Sequence, residues 1–321
     1  MNWRTSWPSR SSAVLSLAVL SALVAVSCGG SRDPQADWIQ YVPPAGKFTT
    51  LDVDATRACA IRTDGEILCW GSETGLGISG APPFQRVALG TATACALRED
   101  GALSCRDVRR TAPQAYSGVL DVDAGPFSWC YILIGGSVGC WTERDEFAGP
   151  QLVTYGANFS KVSVGRWGEY LVAGPDDEAC GLHTDGTIEC WGNRPLQPEG
   201  QYIDVSVGDE LVCAVAVTGS VSCWGAGGGA LSTPPGTFVQ VSAGLSRLEP
   251  GGLYKSHACA LRTDRQVVCW GNNEFGQTTA PPGEFKEVRT GKIFTAAITT
   301  DGEIVWWGRT KFDPYRYDRI D

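Results

Sequence analysis

The sequence predicts an all-β fold made of seven copies of one antiparallel unit, the first six each clipped by an internal disulfide. Three observations point there: cysteines paired at a constant interval of ten, a tight turn centred between each pair, and a Trp-Gly step after the second cysteine. The 321 residues include 40 Gly, 18 Pro, 13 Cys and 12 Trp but only two His. With 43% hydrophobic and 19% charged residues the chain has the balance of a folded protein. A formal net charge of −9 argues against nucleic-acid partners, which require a basic footprint. Two histidines leave little for a His-built metal site or a general base of the commonest type. No cofactor, metal or catalytic constellation is expected.

The first element is an address. Arg4 and Arg10 precede a run, Ala13 to Val26, of only Ala, Val, Leu and Ser. As a helix those residues span about 21 Å, short of the ~30 Å hydrocarbon core, so they read as an export signal rather than an anchor. The run ends in Ala25-Val26-Ser27-Cys28-Gly29, similar to the lipobox of bacterial lipoproteins, with Ala25 where Leu is usual. Cleavage by an ordinary signal peptidase after Ser27, and plain secretion, is the alternative. Cysteine parity favours lipid, because twelve of the thirteen cysteines pair and Cys28 is left over. The expected organisation is a signal peptide at 1–27, a lipidated tether at 28–37 and the repeats at 38–321. Exported protein in a bacterial cell envelope follows, as an outer-membrane lipoprotein or in secreted form.

The repeats start near 48, 84, 119, 159, 202, 238 and 285. Each opens on an aromatic or valine (Phe48, Phe84, Val119, Phe159, Tyr202, Phe238, Phe285) with a Leu or Val three residues later. Three further on stands a glycine, at Gly90, Gly125, Gly165, Gly208, Gly244 and Gly291, with Asp54 the departure. A loop then leads to the cysteine hairpin: Cys59 and Cys69, Cys95 and Cys105, Cys130 and Cys140, Cys180 and Cys190, Cys213 and Cys223, Cys259 and Cys269. The seventh copy has Ala296 and Trp306 instead. Each pair is symmetrical about a three-residue turn such as Thr63-Asp64-Gly65, where glycine supplies the left-handed conformation. Arg265 replaces that glycine in the sixth copy and should be strained. This register places the two cysteines of a copy opposite each other in a non-hydrogen-bonded pair, about 4.5 Å apart at Cα, which predicts six cross-strand disulfides. Zinc is disfavoured, since its knuckles space cysteines by two to four residues. Strand alternation puts Trp70 and its counterparts on the face opposite the cysteines, so both faces of each sheet are apolar and packed between neighbours.

His257-Ala-Cys-Ala-Leu261 followed by Cys269-Trp-Gly-Asn-Asn-Glu-Phe-Gly-Gln277 resembles the repeat of the regulator of chromosome condensation family. The resemblance covers about residues 38–321 and implies a seven-bladed β-propeller. Bacterial members of the wider family, a secreted β-lactamase inhibitor among them, are exported binding modules. Linkers that depart from the pattern, at Arg106-Asp107 and Asn193–Gln201, imply that those blades lack a full outer strand. Residues 38–42 should complete the last blade and tie the termini together.

Function is expected on the face that carries the Gly-to-Cys loops. Ten-residue insertions in copies four and six bring Arg166, Trp167 and Tyr170, and Arg247, Leu253 and Tyr254; Phe127 and Trp129 in the loop of copy three and Phe294 in that of copy seven lie on the same predicted face. Trp, Tyr and Arg are the residue types of interface hot spots, so these form the candidate binding surface. The expected role is that of a non-catalytic protein-binding or scaffold propeller, monomeric, with a protein partner or a cell-wall glycan and membrane attachment through lipid. The alternative is a glycan-binding or enzymatic propeller with an acidic site at Asp176-Asp177-Glu178. Guanine-nucleotide exchange, known in eukaryotic relatives, fits poorly with export. His183 is expected to face solvent, and His257 to pack or make a backbone hydrogen bond.

Overall fold

The computed structural model describes residues 39–40, 42–55, 57–71, 81–91, 93–107, 114–125, 128–142, 151–165, 178–192, 198–209, 211–225, 232–244, 247–249, 253–309 and 311–312. The signal, Cys28 and the tether lie outside them. Seven antiparallel sheets follow one another as blades. Blade one comprises Phe48–Val53, Arg57–Arg62 and Ile67–Gly71; blade two Phe84–Leu89, Thr93–Arg98, Leu103–Asp107 and Gln114–Tyr116. Blade three comprises Val119–Ala124, Trp129–Leu133, Val138–Thr142 and Gln151–Tyr155; blade four Phe159–Val164, Ala179–His183 and Ile188–Trp191. Blades five to seven are Tyr202–Val207, Val212–Ala216 and Val221–Trp224; Phe238–Ala243, His257–Arg262 and Val267–Gly271; and Phe285–Thr290, Phe294–Thr299 and Ile304–Gly308.

The predicted register holds in all six cysteine hairpins. Cys59 faces Cys69 across the pair, and each of the other five copies does the same. All six pairs are disulfides, with Cα atoms 4.0–4.1 Å apart. Arg265 adopts φ 67°, in the left-handed region that glycine occupies in the other six turns.

The ring closes through one repeated contact. The first amide of each blade donates to a carbonyl in the preceding blade's turn: Phe84 N to Gly65 O, Val119 N to Gly101 O, Phe159 N to Gly136 O, and so on to Phe285 N to Arg265 O. Phe48 N donates to Gly302 O at 2.8 Å, so blade one follows blade seven as blade two follows one. Apolar clusters lie across the seams. Cys59 and Ile61 pack with Phe84 and Val87, whereas Trp70, on the other face of blade one, packs with Ile293, Phe294 and Ile298 of blade seven. Phe48, Phe159, Phe238 and Phe285 are fully buried, and each contributes roughly 2–3 kcal/mol of transfer free energy.

Two expectations need correction. Ile39–Gln40 pairs with Lys311–Phe312, so the chain ends are joined, but as a separate two-stranded ribbon and not as a strand of the last blade. Blade two does have an outer strand, Gln114–Tyr116, despite Arg106-Asp107. The reason is packing: the Tyr116 ring lies 5.5 Å from Trp129 and 4.9 Å from Tyr131 of blade three, and that aromatic contact holds the strand.

Candidate functional site

The first strand of every blade lines the axis, and their polar side chains surround a cavity of about 80 Å³. Seven inner strands mean seven sheet edges with unpaired amides facing the neighbouring blade, a hazard proteins cover. Here the cover is a side chain from the preceding blade. One position before the repeat's Leu or Val, Asp121 accepts from Val162 N (3.1 Å), Asp204 from Val241 N (2.8 Å), Gln240 from Val288 N (3.1 Å) and Glu287 from Leu51 N (3.3 Å). One position after it, Asp52 accepts from Leu89 N (2.7 Å), Asp123 from Val164 N (2.8 Å) and Ser163 from Val207 N (3.0 Å). Ser206 and Ser242 do the same for Ala243 N and Thr290 N. These acceptors went unnoticed in the sequence, although Asp, Ser, Gln or Glu flanking the valine in copy after copy is a legible signal.

Three cations offset part of the charge of the five acids. Arg86 pairs with Asp121 at 3.0 Å and donates to Val122 O. Lys161 pairs with Asp204, and Arg289 with Glu287 at 2.8 Å and Asp52 at 3.8 Å. Burial and the neighbouring Asp123 carboxylate push Asp52 up to about 7. Asp123 is raised too, chiefly by burial. Arg86 is held above its ordinary value: burial opposes its charge, and Asp121, Asp123, Asp52 and Glu287 outweigh burial. The channel's polar groups are therefore largely committed to joining blades.

At the loop-face end of the channel the repeat glycines meet. A Cβ on Gly90 would stand 1.8 Å from Gly125 O, and one on Gly165 2.3 Å from Gly208 O. The inner strands converge so tightly that no side chain fits between them. Asp54, which replaces glycine in blade one, instead turns its buried carboxylate to Arg57 Nε at 2.6 Å, and Arg57 donates on to Gly90 O at 2.7 Å.

Of the two insertions expected to bind, the blade-six one has described strands. The blade-six insertion is a hairpin, Arg247–Glu249 with Leu253–Lys255, in register Arg247 to Lys255 and Leu248 to Tyr254, and it belongs to no blade. Lys255 at its base pairs with Glu274 of the following linker at 3.7 Å. Arg247, Leu253 and Tyr254 thus share one small ribbon. Arg166, Trp167 and Tyr170 of the blade-four insertion, and Phe127, lie outside the described residues, as do Asp176 and Asp177. Trp129 is buried at 5% exposure, its ring 6.2 Å from that of Trp141, and Phe294 is buried at 1%. Both are committed to the blades. Glu178 is also fully buried, which removes it from any solvated acidic loop. His183 does not simply face solvent: its ring stacks on Phe159 at 3.9 Å and its Nε2 lies 3.3 Å from Glu189. His257 is fully buried beside Thr295, and burial drives it down to about 4, so it is neutral near pH 7.

Residues 253–277 match the family model of the Regulator of chromosome condensation (RCC1) repeat. No curated protein matches the chain in sequence. Among solved structures the chain is similar to the ectodomain of the Arabidopsis thaliana receptor kinase ACR4 (TM-score 0.62, 21% identity, covering 83% of this chain and 97% of that one). It is similar to human WBSCR16 (TM-score 0.62, 14% identity, 81% and 89%). It also resembles Prp20p from Saccharomyces cerevisiae (TM-score 0.54, 14% identity, 70% and 72%), whose structure was described together with its binding to Gsp1p and histones. At these identities the likeness is one of fold.

Proposed function

We propose that this RCC1-type β-propeller is an exported, non-catalytic protein-binding module, tethered by lipid at Cys28, that meets its partner with the loop face over blades four to six. The observation that carries the reading is the blade-six hairpin. It pairs with no blade, leaves the ring's own contacts intact, and brings Arg247, Leu253 and Tyr254 onto one element. The ring beneath is stiff, with filled seams and six cystines, and a rigid scaffold bearing loops is the arrangement that limits the entropy cost of binding. A protein partner accords with Prp20p, for which Gsp1p and histones are the named partners. Export accords with the cystines, which form and persist in oxidising compartments.

The test is affinity capture from envelope extract with the mature protein and with a Trp167→Ala, Tyr170→Ala, Tyr254→Ala variant. The variant should unfold at the same temperature and lose the protein that the parent retains. Equal retention by both would reject the loop face as the contact surface. Radiolabelled palmitate should enter the parent and not a Cys28→Ala form; equal labelling, or none in either, would reject the anchor.

A further inference from the structure

On the opposite face, the turn face, the seam between blades six and seven forms an open pocket of about 440 Å³ lined by Val239, Leu261, Arg262, Thr263, Arg265, Phe285, Lys286 and Thr300. Three of these are cations and two carry hydroxyls, while the buried Leu261 and Phe285 make an apolar floor beside the exposed Val239. The seven repeats act as internal controls. The polar positions are the end of a blade's middle strand, its first and left-handed turn residues, and in the next blade the residue after the opening aromatic and the first turn residue. At the other six seams these positions hold at most one arginine. Blades one and two give Arg62, Thr63, Gly65, Gln85 and Glu99; blades three and four give Leu133, Ile134, Gly136, Ser160 and Thr184.

Arg265 makes the difference sharper. It keeps a long cationic side chain at φ 67° where the other six copies have glycine. Strained conformations of this kind cluster at functional sites. The acids nearby are exposed partners on the rim. Asp264 meets Arg262 Nη2 at 3.1 Å, and Glu284 meets Arg265 Nη1 at 3.6 Å with both side chains 63% exposed, a surface pair that an incoming anion can displace. Lys286 lines the pocket while its Nζ reaches on to donate to Phe48 O of blade one at 2.6 Å, which leaves two further protons to give. Thr263 Oγ1 leans to Thr237 O at a long 3.5 Å.

We infer that this pocket binds a phosphate group, free or borne on a lipid headgroup. A tetrahedral oxyanion matches guanidinium, ammonium and hydroxyl donors carried by the residues that line one pocket, and the apolar floor can receive the carbon part of a phosphate ester. The site is independent of the blade-six hairpin, which is inserted between Ala243 and His257 at the other end of the blade.

The probes are inorganic phosphate and short-chain dihexanoylphosphatidylglycerol below its micelle concentration, titrated calorimetrically into the protein against sodium chloride of equal ionic strength. The parent should show saturable binding. Arg265→Gly restores the residue of the other copies and relieves the backbone. It should therefore unfold at a higher temperature and yet bind at least about tenfold more weakly. Adding Lys286→Gln should weaken binding further. Tighter binding of the lipid than of phosphate assigns the site to a headgroup; equal or tighter binding of phosphate assigns it to the free anion. No saturable binding of either probe by the parent, or unchanged affinity in the folded Arg265→Gly, Lys286→Gln variant, overturns the inference.

Discussion

Asp204 is the sharpest test of the reasoning about seams. Its carboxylate, in a residue 6% exposed, accepts from Val241 N at 2.8 Å and pairs with Lys161, whose side chain is 24% exposed. Asp204→Ala strands both partners. A buried amide without an acceptor costs about 1–3 kcal/mol. A broken buried ion pair costs about 3–5 kcal/mol, which the partial exposure of Lys161 reduces to roughly 1–2 kcal/mol. The alanine variant should lose about 2–5 kcal/mol in all. Asp204→Asn retains an oxygen for Val241 N and should lose only the ion-pair part, roughly 1–2 kcal/mol. Adding Lys161→Met to Asp204→Asn removes the stranded ammonium and should recover most of that loss. Equilibrium unfolding in guanidinium chloride under non-reducing conditions, read as a shift of midpoint at constant slope, measures all three. If alanine and asparagine proved equally costly, the backbone-acceptor role assigned to the channel side chains would be wrong.

Further outcomes follow from the same contacts. Asp52 has a folded-state pKa of about 7 against the ordinary 3.8, so its contribution to stability falls as pH rises between those values; Asp52→Asn should flatten that fall and raise the melting temperature at pH 7.5, and no gain there would contradict it. His257, lowered to about 4 from 6.5, acts with the opposite sign: stability should drop as pH falls through that window, and His257→Gln should blunt the drop in a thermal scan from pH 7 to pH 4. Gly90→Ala drives a Cβ to 1.8 Å from Gly125 O and should prevent accumulation of folded protein, whereas a melting temperature near the parent's would disprove the convergence of the inner strands. Replacing Cys213 and Cys223 together by alanine opens a link spanning 10 residues and should cost about 2.7 kcal/mol by chain entropy, measured by denaturant unfolding.

Much of the fold was legible because its determinants are local. A cysteine pair, its turn and the Trp that follows lie within about a dozen residues, and strand alternation converts their spacing into register without knowledge of the rest of the chain. Arg265 was readable as a left-handed residue for the same reason: the six sister turns set its conformation. Trp129 and Phe294 show the limit. Their position after the glycine suggested loop residues, and only the neighbouring blade, supplying Tyr116 to one and Trp70 and Phe48 to the other, makes them core. Gln114–Tyr116 likewise became a strand because of a contact with another blade.

By itself the sequence determined the number of blades, their hairpins, the cystine pairing and the opposite facing of Cys and Trp, all consequences of short-range stereochemistry repeated seven times. The tertiary structure decided what fills the spaces between copies: acceptors reaching 37 residues and more along the chain, glycines pressed together at the axis, termini joined as a ribbon, and cations gathered at one seam. Those features depend on which blade stands beside which. That adjacency arises only when the ring closes and Glu287 meets the amide of Leu51, 236 residues away.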